Sequence, residues 1–149
     1  MKMRTATILF AYDGEKVLLI GDGEPTVDKI YRPVEGELQP DVIYEDYTDN
    51  AFRRVKEETG IDLLKLTHLG LLVLTNKNET ISTAYYAACL TNAEYHTIGN
   101  LPAEQQNRLC QCDTITVINS DVTDTHLAGD GALQFFVKCG LKVLGLSAK

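Results

Sequence analysis

One bounded helix set among β-like runs constrains this chain more than any other feature. Residues Thr48 to Thr59 carry apolar side chains at Ala51, Phe52 and Val55, with Asp49, Asn50, Arg53, Arg54, Glu57 and Glu58 around the rest. The i, i+1, i+4 spacing predicts an amphipathic helix with one face turned to a core. Thr48 or Asp49 is placed to cap its start, and Gly60 to end it. So short a helix is marginal in water and takes its stability from what it packs against.

The flanking runs predict that partner. Arg4 to Ala11 alternates and is rich in Thr, Ile and Phe; Asp13-Gly14 marks a turn, and Lys16 to Ile20 is a second short apolar run, which together read as a hairpin. Lys29 to Val34 reads as a third strand. After the helix, Leu66 to Thr75 and Thr80 to Leu90 flank the turn-forming Asn76-Lys77-Asn78-Glu79, a longer hairpin. Thr91 to Cys112 reads as loop with a helical turn at Ala103 to Arg108, and Thr114 to Ile118 as a last strand. From Gly131 onward, Leu133, Phe136, Val137, Gly140, Leu141 and Leu144 share a helical face, so a C-terminal helix is expected to close the core. This order predicts an α+β chain: a mixed sheet covered by helices. Without a linker, a repeat or a low-complexity stretch, residues 1–149 read as a single domain.

Composition narrows the function classes. With 14 basic and 21 acidic residues the formal net charge is −7, which disfavours non-specific binding to nucleic acid or to an anionic membrane surface. No apolar run approaches the ~18 residues of a spanning helix, and the N-terminus lacks the pattern of a cleaved leader. Cys89, Cys110, Cys112 and Cys139 form no CxxC pair, and His68, His96 and His126 are scattered. Free buried thiols in a reducing cytoplasm fit this spacing better than a zinc centre.

The chemistry concentrates in Gly36 to Ile61, which reads GELQPDVIYEDYTDNAFRRVKEETGI. Glu57 and Glu58 are successive helical residues about 100° apart, able to converge on a hard cation at a helix edge. Taken alone, Arg53–Glu57 and Arg54–Glu58 are opposite-charge i,i+4 pairs, which also describe a solvated helix face. The wider pattern decides between these. The stretch resembles the box of the Nudix hydrolase superfamily, GX5EX7REUXEEXGU with U aliphatic. Glu45 and Arg53 fit the EX7R spacing, and Val55, Glu57, Glu58, Gly60 and Ile61 fit the positions that follow, so seven of nine fixed positions are present. Two depart: Gln39 stands where the first Gly is expected, with Gly36 the nearest glycine, and Arg54 stands where the box has Glu.

The resemblance implies a Nudix-like α/β/α sandwich and a hydrolase that uses Mg2+ or Mn2+ and water. Such an enzyme cleaves a pyrophosphate bond in a nucleoside diphosphate linked to another moiety. Glu57 and Glu58 would hold the metal, Arg53 would reach back to Glu45 by a bidentate ion pair, and Gly36 would offer backbone to metal and phosphate. Arg32, upstream of the box, is a candidate to hold the diphosphate. Arginine accepts no proton and competes with a cation for the neighbouring carboxylate, so Arg54 leaves three readings open. The general base lies elsewhere, with Glu104, Asp113 and Glu94 as candidates and Glu104 also a candidate ligand; or metal-bound hydroxide needs no base at this position; or the fold binds a nucleotide or a protein with hydrolysis impaired. Tyr85 and Tyr86 read as core or surface, and Gly21-Asp22-Gly23 and Gly129-Asp130-Gly131 as turns.

Overall fold

The computed structural model describes residues 1–22, 30–39, 45–120 and 131–147. Its frame is a seven-stranded mixed sheet built on β1 (Lys2–Ala11). Along one side β1 pairs in parallel with β6 (Thr80–Cys89), which carries the antiparallel edge strand β5 (Thr67–Thr75). The other side of β1 is shared: Leu9 to Ala11 pair with β2 (Lys16–Asp22), while Arg4 to Thr7 pair with β4 (Val34–Glu37), both antiparallel. Beyond β2 lie β3 (Ile30–Arg32) and β7 (Leu109–Asp113), each antiparallel to it.

The expected third strand is thus two strands. Proline has no N–H to give to a ladder, and at Pro33 the chain changes partner, β3 pairing with β2 and β4 with β1. The two predicted hairpins form, the second with a bulge between His68 and Gly70.

Alternation of side chains gives the sheet two cores. Ala6, Ile8 and Phe10 of β1 join Val17, Leu19, Tyr85 and Ala87 beneath α5 (Ala132–Leu144), which contributes Leu133, Phe136, Val137 and Leu141. Tyr85 lies flat on Phe136, ring centroids 3.7 Å apart. On the opposite face, Leu9, Leu18, Ile20 and Ala88 pack with Val55 of α1 (Tyr47–Thr59) and with Ile61. Tyr86 turns to this second face, against Ala51 and Ala84. Both tyrosines are therefore core residues. The result is the three-layer α/β/α arrangement, with the C-terminal helix in place.

Two expectations are corrected. Thr114 to Ile118 is not a strand but the start of α4 (Thr114–Asn119), and the last strand among the described residues is Leu109–Asp113 just before it. Thr114 and Val117 are buried three residues apart, a helical spacing, and Val117 joins the core under α5; packing overrides the β-branched composition. The long loop is largely structured: α2 (Asn92–Thr97), a 3-10 turn at Ile98–Asn100, α3 (Ala103–Arg108) and β7 fill it. The four cysteines are free, as expected, but half-buried rather than buried. His68 and His96 are exposed. His126, Gly129-Asp130 and most of the loop after Gly21-Asp22 lie outside the described residues. Among those described, no helix is long and apolar enough to cross a membrane.

Candidate functional site

The predicted helix forms, but its cap is Asp46, whose carboxylate accepts the Asp49 N–H at 2.8 Å. Thr48 is not the cap because its hydroxyl bonds the Tyr86 hydroxyl at 3.0 Å, tying the first turn to β6. At the far end Gly60 adopts a left-handed φ of 74° and returns its N–H to the Lys56 carbonyl, a conformation that costs glycine little.

The expected clasp between the loop and the helix is present. Arg53 donates through Nε to Glu45 Oε2 at 2.6 Å and through Nη2 to Glu45 Oε1 at 3.0 Å. Glu45 is 7% exposed, so its charge is held by this fork and by Asn50 Nδ2 at 2.7 Å. The Arg53 hydrogen bonds drive the Glu45 pKa below its ordinary value of 4.5 against the opposing effect of burial, with Asn50 adding to the fall. Glu45 first, and then Glu57, which Arg53 Nη1 also reaches at 2.6 Å, raise the pKa of Arg53 in turn.

Asn50 falls on the polar side of the helix by its spacing, yet it is fully buried. It accepts from the Thr5 hydroxyl at 2.6 Å and donates to Glu37 O at 3.3 Å as well as to Glu45. One side chain thereby joins β1, β4 and the box. A polar residue directly beside buried Ala51 was the available signal. Gly36 is needed for the same approach: a Cβ there would collide with Arg54 Cγ and lie 2.5 Å from Asn50 Oδ1. The role the structure shows for Gly36 is to let α1 sit against β4.

The acidic pair is not open. Glu57 accepts from Arg53 at one oxygen and from Arg54 at the other, both at 2.6 Å. Glu58 accepts from Arg54 Nη2 at 2.7 Å, and its second oxygen lies 3.5 Å from Arg108 Nη1 of α3. Arg54 is anchored in turn, its Nε donating to the Glu35 carbonyl of β4 at 2.9 Å. Hydrogen bonds from Arg53, then from Arg54, lower the Glu57 pKa below 4.5.

This donor set does not fit the divalent metal that the fold family implies. All four oxygens of the pair face guanidinium groups, and a doubly charged ion 4 Å from one guanidinium meets a repulsion of roughly 2 kcal/mol in water and 8 kcal/mol at an effective dielectric of 20. Among the described residues, no three His, Cys, Asp or Glu side chains are gathered as a cation site. Glu104 is exposed on α3 and completes no such cluster. Of the other base candidates, Asp113 is paired with Lys16, and Glu94 closes the capping box of α2 with Thr91; each has a structural occupation.

What the site does offer is a cleft of about 500 Å³ lined by Arg4, Arg32, Arg53 and Arg54 together with Glu35 and Glu37. Arg32 lines this cleft, donating to the Pro33 carbonyl at 3.1 Å and lying 4.0 Å from Glu35. Arg4 reaches Glu35 at 3.4 Å from the neighbouring strand. Its part was not legible, because β1 and β4 meet only through sheet pairing.

Both depressed carboxylates have a consequence for stability. A folded pKa below the unfolded value means that stabilisation is complete above about pH 4.5 and is lost as the pH falls through the folded values. The thermal midpoint is therefore expected to fall on acidification below that point. Glu45→Gln is expected to lose about 1–3 kcal/mol at neutral pH and to show a flatter acid limb in thermal scans; an unchanged limb would remove Glu45 from the clasp.

No protein-family model and no curated protein matches the chain. Solved structures do. Shewanella oneidensis NrtR, solved in complex with a 27mer DNA, is 18% identical with a TM-score of 0.69 over 95% of this chain; the chain spans 61% of NrtR's length. The Nudix domain of the same protein, solved with ADP ribose, is 16% identical with a TM-score of 0.64, covering 95% of this chain and 87% of that one. The Ap4A hydrolase of C. elegans is 18% identical with a TM-score of 0.65, covering 97% and 98%. With the box helix seated against a mixed sheet, and that likeness running nearly the full chain, the protein has the Nudix fold.

Proposed function

We propose that this chain is a Nudix-fold module that binds a nucleoside diphosphate derivative in the arginine-lined cleft. The observation that carries this reading is Arg54, which sits between Glu57 and Glu58 at 2.6 and 2.7 Å where the hydrolase box has a carboxylate. A diphosphate presents rigidly spaced anionic oxygens, and guanidinium forks meet such oxygens by paired, charge-assisted hydrogen bonds. The ADP ribose bound to the Nudix domain of NrtR supports the ligand class.

Titration calorimetry with ADP ribose, diadenosine tetraphosphate and nucleoside triphosphates, alongside product analysis in Mg2+ and in Mn2+, tests the reading. Saturable binding of at least one compound with no product is the expected result. Turnover that disappears in Glu57→Gln would replace it with hydrolysis.

That second reading has its own support in the intact Glu45–Arg53 clasp and in the hydrolase among the similar folds. For it, Glu57 and Glu58 would have to exchange arginine for a divalent ion, and Glu104 is the remaining candidate base.

A further inference from the structure

We propose that Arg54 serves the cleft as a tethered cation, so that the phosphate ligand binds without a divalent ion. This rests on the binding reading above and names the electrostatic device behind it. A diphosphate in the arginine-lined cleft would need positive charge close to its oxygens, and Arg54 lines that cleft. Here that charge is covalent. The Arg54 guanidinium is held at three of its five N–H groups, by the Glu35 carbonyl, Glu57 and Glu58.

The geometry assigns the two carboxylates a role that differs from coordination. As acceptors they fix the guanidinium plane, and Arg53 and Arg108 take the oxygens that Arg54 leaves. Counted together, Arg53, Arg54 and Arg108 balance Glu45, Glu57 and Glu58, so the cluster carries no net negative charge with which to concentrate divalent ions. Gly36 belongs to the same device: only a residue without Cβ lets the Arg54 stem cross β4 this closely. The guanidinium therefore reaches the cleft shared with Arg4 and Arg32 instead of being pushed out to solvent.

Calorimetry with ADP as probe, in EDTA and in millimolar Mg2+, decides the matter. The expected Kd is as tight in EDTA as in Mg2+, or tighter, because Mg2+ complexes the ligand's own charge. ADP that binds only with Mg2+, or about tenfold more tightly with it, overturns the proposal while leaving the binding reading intact. Binding to neither ADP nor ADP ribose under either condition overturns both.

Arg54→Glu is expected to weaken ADP binding about tenfold or more in EDTA, to recover it on addition of Mg2+, and to show a new Mn2+ site by electron paramagnetic resonance. Arg54→Met keeps the stem and removes the charge if the first variant does not fold; it is expected to lose affinity in EDTA to a similar extent. A stoichiometric Mn2+ site on the unaltered protein at micromolar metal, or full ADP affinity in EDTA for either variant, counts against the proposal.

Discussion

Replacing Gly36 with alanine is expected to destabilise the protein by about 1–2 kcal/mol and to weaken ligand binding with it. Two opposing effects must be compared. Alanine restricts the unfolded chain and suits a strand better than glycine, which favours the variant by about 0.5–1 kcal/mol. Against that, the new methyl collides with Arg54 Cγ and sits 2.5 Å from Asn50 Oδ1, and overpacking of this kind costs about 1–3 kcal/mol, occasionally more. Neither neighbour yields easily: Arg54 is bonded at its Nε to the Glu35 carbonyl, and Asn50 is fully buried with three partners. Sterics win. For a chain of 149 residues the thermal midpoint should drop by roughly 2–8 °C. Urea unfolding reads the free energy directly, and a loss below about 0.5 kcal/mol would show that helix and strand can part without cost.

Asn50→Ala is expected to cost about 2–4 kcal/mol. The substitution is favourable for helix propensity by a few tenths of a kcal/mol, yet it strips partners from a buried network. Thr5, itself fully buried, loses the acceptor of its hydroxyl, and the Glu37 carbonyl and Glu45 each lose a donor. Each buried group left unsatisfied costs about 1–3 kcal/mol, while Glu45 retains its fork to Arg53 and limits the total. Asn50→Asp separates hydrogen bonding from volume. It keeps the shape but brings a second carboxylate to the position now 2.7 Å from Glu45, so it should unfold more readily at neutral pH and recover part of the loss when acid protonates the pair. Equal stability of Asn50→Asp at both pH values would mean that the two side chains do not share one buried site.

Local signals account for much of the fold. Helix α1 was legible because apolar spacing, an acidic N-terminal cap region and a closing glycine all lie within fifteen residues, and each acts through neighbours in the chain. The Glu45–Arg53 clasp was legible for the same reason: eight positions across a helix start bring the two side chains within reach. Pairing of β3 with β2 and β4 with β1 was not, since the lone cue was a proline and its consequence depends on which strand lies alongside. Thr114 to Ile118 misled because a β-branched run describes what each residue prefers alone, whereas Val117 is placed by the core beneath α5.

The amino-acid order alone established the helix, its limits, the strand runs and the identity of the charged groups in the box, all consequences of short-range backbone geometry and periodic burial. Assembly in three dimensions settled what those charges do. Whether Arg54 quenches Glu57 and Glu58 or merely decorates a helix depends on its stem crossing Gly36 to reach the Glu35 carbonyl. Whether the cleft is acidic or basic depends on Arg4 and Arg32 arriving on separate strands. Electrostatics acts over distance in space, and distance between residues far apart in the chain exists only once the sheet has formed.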